Sequence, residues 1–152
     1  MITIREGGLD EQQVQDLLRL HASGMLANSP AGSCHFLDLS GLQAADVTFW
    51  SAWAGEDLLG MGALKQFDAT HGEVKSMRTV PAQLGKGVGA AVLEHILAAA
   101  RARGLTRLSL ETGTAPAFEP AIRLYTRYGF APCPPFGSYV EDPHSRFFTL
   151  VL

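Results

Sequence analysis

A chain of 152 residues has room for one domain built on a single core. Its 47% hydrophobic and 18% charged residues are globular proportions and exclude a disordered chain. A net charge of −3 excludes a sequence-independent nucleic-acid binder, which needs a basic field. No run of about 18 apolar residues occurs, so no membrane partner is expected. Met1 to Glu6 lacks the basic and apolar regions of a signal peptide. Cys34 and Cys133 match no zinc spacing and read as reduced thiols of a cytoplasmic protein, with no metal expected.

Ile2 to Glu6 alternates as a short first strand. Asp10 with Gln13 three places on resembles a capping box. Val14, Leu17, Leu18, His21 and Met25 then recur at helical spacing to about residue 26. Asn28 to His35 reads as loop from its small and turn-forming residues, and a short helical piece is predicted over 39–45. Residues 47–54 are rich in β-formers; Gly55-Glu56-Asp57 turns, and 58–67 resumes as the second arm of a hairpin. Asp68 to Gly72 turns again into a strand over 73–80. Three strands on short turns make an antiparallel meander.

Residues 85–90, Gly-Lys-Gly-Val-Gly-Ala, follow that strand and open an amphipathic helix from Gly87 to Arg103. Val88, Val92, Ile96 and Ala100 line one face, and Gly104 ends the helix. Glycines let the backbone approach a ligand closely. A helix start turns free N–H groups and the positive dipole end toward it. Together they predict an anion site, most naturally for a phosphate or pyrophosphate. Gly85-x-Gly87-x-x-Ala90, with Glu111 about 21 residues on, also satisfies the dinucleotide fingerprint. The meander before the loop leaves no βαβαβ half for that reading. A Walker loop is excluded, since no Gly-x-x-x-x-Gly-Lys-Ser/Thr is present. A glycine-rich helix start with no ligand is the third alternative.

Leu105 to Glu111 reads as a strand, parallel to 73–80 if the two pair, because a helix separates them. Pro120 suits the first turn of a helix whose buried stripe is Ala121, Leu124, Tyr125 and Tyr128, stopped by Gly129. Residues 132–143, with four prolines, form a long loop of a kind that often binds ligands. Arg146 to Leu152 is a terminal strand. No repeat or second domain is visible, so 1–152 is expected to be one domain.

Val80-Pro81-x-x-x-Gly85-Lys86-Gly87-Val88-Gly89 resembles the acetyl-CoA motif of the GNAT superfamily of N-acyltransferases. Ala121-Ile-Arg-Leu-Tyr125-Thr-Arg-Tyr-Gly129-Phe130 is similar to that family's Ala-Ile-x-Leu-Tyr-x-Lys/Arg-x-Gly-Phe segment. Thr79 replaces a usual Val, Leu84 a usual Arg or Gln with Gln83 one place early, and Phe118 a frequent Asn. These departures weaken side-chain help to the cofactor and leave the backbone cradle intact. The resemblance covers 47–131 well and the ends more loosely. It implies the α/β GNAT fold, a mixed, mostly antiparallel sheet of about six or seven strands with helices on both faces.

It further implies acetyl-CoA as cosubstrate and direct acetyl transfer to a primary amine of a small molecule or peptide. The family proceeds through a tetrahedral intermediate without an acyl-enzyme, so Cys34 and Cys133 are not nucleophiles. Strands 73–80 and 105–111 are expected to part and admit the pantetheine arm, whose amides pair with the edge around Met77, Arg78 and Thr79. Pyrophosphate belongs on Gly85, Lys86, Gly87, Val88, Gly89 and Ala90, with Lys86 adding charge. Tyr125 stands where the family often keeps a general acid. A phenol with a pKa of about 10 is protonated at neutral pH and can donate to the departing thiolate. By spacing alone Tyr125 is a core tyrosine.

Glu73 matches the position of a carboxylate base in several members; the alternative is a solvated strand-end charge. Glu111 is a second candidate. His21 reads as a hydrogen-bonded inner-wall histidine rather than a base. Ser29, Ser33 and His35 lie in a loop that borders the acceptor pocket in this family. Phe136 and Tyr139 offer apolar walls from the other side and Asp142 a partner for an ammonium; a mobile, solvated turn is the plain alternative. Many members form a homodimer, and nothing in this chain decides it. A catalytically silent CoA-binding sensor of the same fold is the competing function, motivated by Leu84 and Phe118.

Overall fold

The computed structural model describes all 152 residues. In chain order the elements are β1 (Thr3–Glu6), α1 (Gln12–Asn28), α2 (Leu39–Leu42), β2 (Val47–Ala54), β3 (Asp57–Gln66) and β4 (His71–Thr79). There follow α3 (Val88–Ala102), β5 (Arg107–Gly113), α4 (Glu119–Arg127), β6 (Ala131–Pro132) and β7 (Ser145–Val151). They form one seven-stranded sheet in the order β1-β2-β3-β4-β5-β7-β6. The expected meander is present, since β1 to β4 pair antiparallel in succession. β4 and β5 pair parallel across the α3 crossover, and β7 runs antiparallel to β5 and β6.

Helices cover both faces. On one side α3 and α4 bury Val92, Leu93, Ile96, Ile122 and Tyr125 against Trp50, Leu64, Leu108 and Phe148. On the other, α1 buries Val14 and Leu17 against Phe49, Trp53, Met61 and Ala63. β3 is buried without interruption from Leu58 to Leu64, as a strand covered on both faces must be. Its glycines set how closely α3 approaches. A Cβ on Gly62 would lie 2.7 Å from both Met77 Sδ and Val92 Cγ1, and one on Gly60 would lie 2.8 Å from Val88 Cγ1. With no side chain there, α3 rests on the β3 backbone and its first turn is carried to the end of β4.

Several local expectations are corrected. Asp10 is not a cap: α1 begins after Glu11, which makes no side-chain cap bond. Gln13 instead takes the Leu58 N–H on its Oε1 (2.9 Å) and donates Nε2 to the Glu56 carbonyl (2.8 Å). The amide thus ties α1 to the β2–β3 turn. α2 is confined to 39–42, where Asp38 accepts the Gly41 N–H at 2.8 Å. In α4, Ile122 and Tyr125 are the buried residues. Tyr128 is half-buried and donates its hydroxyl to Glu94 at 2.5 Å.

Gly62→Ala tests the close approach of α3. Side-chain ends must shift to admit the methyl group, and overpacking of this kind costs about 1–3 kcal/mol. Chemical denaturation of this variant should show a loss of that size; unchanged stability would mean that α3 has slack over β3.

Candidate active site

The parallel pair β4–β5 shares only the register His71↔Arg107, Gly72↔Leu108 and Glu73↔Ser109. Beyond Glu73 the strands part, β4 continuing beside β3 and β5 beside β7. A bulge lies at the divergence. Between Ala63↔Lys75 and Met61↔Arg78, β4 holds one more residue than β3, and Ser76 sits at φ +56°. An extra residue bends its strand and re-aims the side chains beside it.

A groove of about 590 Å³ runs from the glycine loop into this opening. Met77, Arg78, Thr79, Gly85, Gly87, Val88, Gly89 and Ala90 line it, as expected. Gly85 and Gly87 have φ of +75° and +80°, and Gly87 is the left-handed residue that starts α3. A Cβ at either would meet nothing within 4 Å, so both the conformation and the open space suit an incoming anion. Ala91 N is the first amide to bond back, to Gly87 O at 3.0 Å. The amides of Val88 to Ala90 are the free donors of the helix start.

Lys86 is not in this lining; its Nζ donates to Gln83 Oε1 at 3.3 Å. Gln83 and Arg127 line the groove in its place. Arg127 occupies the Lys/Arg slot of the second motif, a signal that was present in the sequence. Arg78 turns its Nη2 to the Leu20 and His21 carbonyls of α1 at 3.3 and 3.5 Å. It passes so close over Gly24 that a Cβ there would lie 2.2 Å from that nitrogen. Its guanidinium therefore anchors β4 to α1.

The groove meets a second, smaller chamber of about 90 Å³ at Met77, Ala121 and Tyr125. Glu73, Lys75, Ser76, Glu111, Thr112, His21 and His35 contribute its polar lining. Glu73 is only 3% exposed, not a solvated strand end. Its Oε2 accepts Lys75 Nζ at 3.1 Å and the Tyr139 hydroxyl at 2.6 Å. Lys75 also donates to Tyr139 Oη (2.9 Å) and to the His35 carbonyl (3.1 Å). Tyr139 is therefore a polar partner of the carboxylate rather than an apolar wall. Burial and the adjacent Glu73 charge hold its phenol protonated.

Glu111 has its carboxyl raised above the usual range by burial. Burial also raises Tyr125, whose ring packs edge-on to Phe130 at 5.8 Å. Its hydroxyl makes no hydrogen bond within the chain and is protonated at neutral pH. His21 is lowered to about 4 by burial and then by the Arg78 charge. The expected hydrogen bond is missing, for its buried Nδ1 has no partner.

The remaining expectations fall outside the chamber. Ser29 is buried elsewhere, its carbonyl facing the Cys34 thiol at 3.6 Å. Ser33 Oγ donates to Asp142 at 2.6 Å, and Asp142 also accepts the His144 N–H at 2.8 Å. Asp142 is thus committed to joining two loops and does not wait for an ammonium. Phe136 packs among Phe67, His71, Tyr139 and Phe147 rather than in the lining. Cys34 and Cys133 are free thiols raised by burial, and neither lines either cavity. No group of three metal-ligating side chains occurs, and no helix is long and apolar enough to cross a membrane.

The GNAT acetyltransferase family model matches residues 15–130. Escherichia coli has an uncharacterised N-acetyltransferase, YedL, that is 52% identical over 100% of this chain and 96% of its own. Another, YsnE of Bacillus subtilis, is 49% identical over 96% and 97%. A solved structure described as an acyl-CoA N-acyltransferase from Klebsiella pneumoniae superposes with a TM-score of 0.84, at 28% identity and 100% and 98% coverage. The class defined by the parted strands and the glycine cradle is thus that of acyl-CoA acyltransferases, and this chain belongs to the GNAT acetyltransferase family. It is an acetyl-CoA-dependent acetyltransferase, which removes the dinucleotide reading.

His21 gives a pH test of the site's architecture. A histidine held near pKa 4 when folded and near 6.5 when unfolded binds its proton only on unfolding between those values. Its contribution is complete above about pH 6.5 and is lost as pH falls toward about 4, a change of about 3 kcal/mol. His21→Gln should flatten that limb of the stability profile relative to the parent protein. Superimposable profiles would show that the imidazole charges freely within the fold.

Proposed function

We propose that residues 1–152 form one cytoplasmic N-acetyltransferase domain that moves the acetyl group of acetyl-CoA directly onto a primary amine of a small molecule or peptide. One observation carries this reading: the groove over the glycine cradle and a chamber holding two carboxylates share Met77, Ala121 and Tyr125 as their common wall. When bound, acetyl-CoA supplies an activated thioester. Gly85, Gly87 and the amides of Val88 to Ala90 hold its diphosphate. The free edge of β4 at Met77 and Thr79 pairs with its pantetheine amides, and Arg127 adds positive charge. Two free thiols fit a reducing cytoplasm.

The chamber residues then divide the proton work. The ammonium first sheds one proton to solvent; the amine nitrogen must lose a second as it bonds to the acetyl carbon, and the sulfur must gain one as its bond to that carbon breaks. Tyr125, protonated and unbonded at the junction, donates to the sulfur. Glu111, lifted by burial and hydrogen-bonded to no cation, accepts from the amine. Glu73, clamped by Lys75 and Tyr139, keeps Oε1 free of any hydrogen bond and attracts the ammonium before it is deprotonated. His35 borders the same space. Most of the acceleration comes from holding the two reactants together in the junction.

Gly87→Asp should abolish binding of CoA in calorimetry, because φ of +80° is strained for aspartate and its charge opposes the diphosphate. Normal affinity would remove the cradle from the mechanism. Tyr125→Phe should lower kcat by about a hundredfold with the acetyl-CoA KM nearly kept. Equal kcat would show that another donor protonates the sulfur. A thiol-release assay separates the enzyme from a silent sensor, which binds CoA and releases none across a panel of amines.

A further inference from the structure

We propose that the acceptor is a primary amine whose neighbouring group is neutral and hydrogen-bonding, a carboxamide or hydroxyl, and that amines bearing an adjacent free carboxylate are excluded. The inference rests on the N-acetyltransferase reading above and specifies its acceptor. Two features of the smaller chamber point to it.

The first is the chamber's charge. Lys75 is the only lysine or arginine in its lining. An ammonium has three donors, and all three of its own are taken, by Glu73 Oε2, Tyr139 Oη and the His35 carbonyl. No lysine or arginine is left to receive a substrate carboxylate. Such a group would enter beside Glu73 and Glu111 and lose its water without a partner, an arrangement that is strongly disfavoured. An ammonium meets the opposite situation.

The second is a pair of orphaned polar atoms. His21 is 8% exposed and Ser76 is 9% exposed. Both line this chamber, and His21 Nδ1 and Ser76 Oγ have no hydrogen-bond partner. Buried polar groups are nearly always paired, so two unpaired ones on residues that line one cavity of about 90 Å³ point to a ligand there. The imidazole stays neutral because burial and Arg78 oppose its charge. A neutral imidazole and a hydroxyl both donate and accept, which matches an amide or alcohol and offers nothing specific to an anion. Ser76 is also kept at a positive φ that L-residues rarely adopt, a strain retained where a side chain must be aimed. The chamber has room for the amine and this one substituent, and the rest of the acceptor lies outside.

Thiol release from acetyl-CoA at about pH 8, where imidazoles are ordinarily neutral, should be compared for glycinamide, ethanolamine, ethylamine and glycine, with every rate expressed per concentration of neutral amine. Glycinamide and ethanolamine should exceed ethylamine in kcat/KM by about tenfold, the scale of one buried hydrogen bond. Glycine should fall below glycinamide by about a hundredfold. In Ser76→Ala the ratio of glycinamide to ethylamine should collapse by about fivefold or more. Glycine used as readily as glycinamide, or an unaltered ratio in the variant, overturns the inference. So does thiol release from none of the four while acetyl-CoA binds in calorimetry. Failure of acetyl-CoA to bind would instead overturn the proposed function itself.

Discussion

Everything in this molecule that bears on chemistry depends on two parallel strands that stop pairing after three register positions. A strand with a neighbour on one side only presents a row of free N–H and C=O groups on the other. Beyond Glu73 that row on β4 faces an opening rather than β5. The bulge at Ser76 makes the departure abrupt, because the extra residue turns β4 and forces one backbone position into the left-handed region. β5 is held to its own course by seven register pairs with β7. Phe118 closes the inner end of the gap, packed so tightly on Gly113 that a Cβ there would lie 2.3 Å from its ring. The residue that replaces a frequent family Asn thus acts as a floor, and it needs a glycine opposite.

The opening alone would be a cleft without direction. Gly60 and Gly62 let α3 lie against β3, and this seats its first turn at the mouth. The positive end of the helix dipole and its free amides then point along the same gap as the free edge of β4. α4 brings Tyr125 from the far side, its ring anchored on Phe130 and its hydroxyl left unbonded. Four elements distant in the chain therefore converge on one junction, although each is placed by ordinary apolar packing.

Features held within a single segment were legible in the sequence. The glycine loop, the α4 motif and the meander each carry their signal in consecutive residues, and eight of the nine expected cofactor residues line the groove. Adjacency in the chain does not fix where Lys86 turns: its side chain leaves toward Gln83, outside the groove lining. The contacts of Glu73 were invisible for a different reason. Its hydroxyl partner Tyr139 lies 66 positions away, in a proline-rich loop with no periodicity to orient it. The same loop reads as a binding segment in sequence, and its Asp142–Ser33 bond and the ring contacts of Phe136, which tie it to the rest of the fold, carry no sequence signal. Helical spacing marked His21 as inward-facing, but spacing carries no information about whether a partner exists for Nδ1.

The two phenols show how one fold assigns different roles to the same side chain. Burial raises both Tyr125 and Tyr139, so each is a proton donor and neither is an anion at neutral pH. Tyr139 has its proton directed at Glu73 and its oxygen occupied by Lys75, a closed network in which each member fixes the others. Tyr125 has no such tie. A group with all its bonds made can hold geometry but cannot exchange a proton without breaking them. A group left unbonded beside an open cavity is free to donate. The difference lies in whether a cation and a carboxylate sit within reach, and the β4 sequence Glu73-Val-Lys75 supplies both to one side of the strand only.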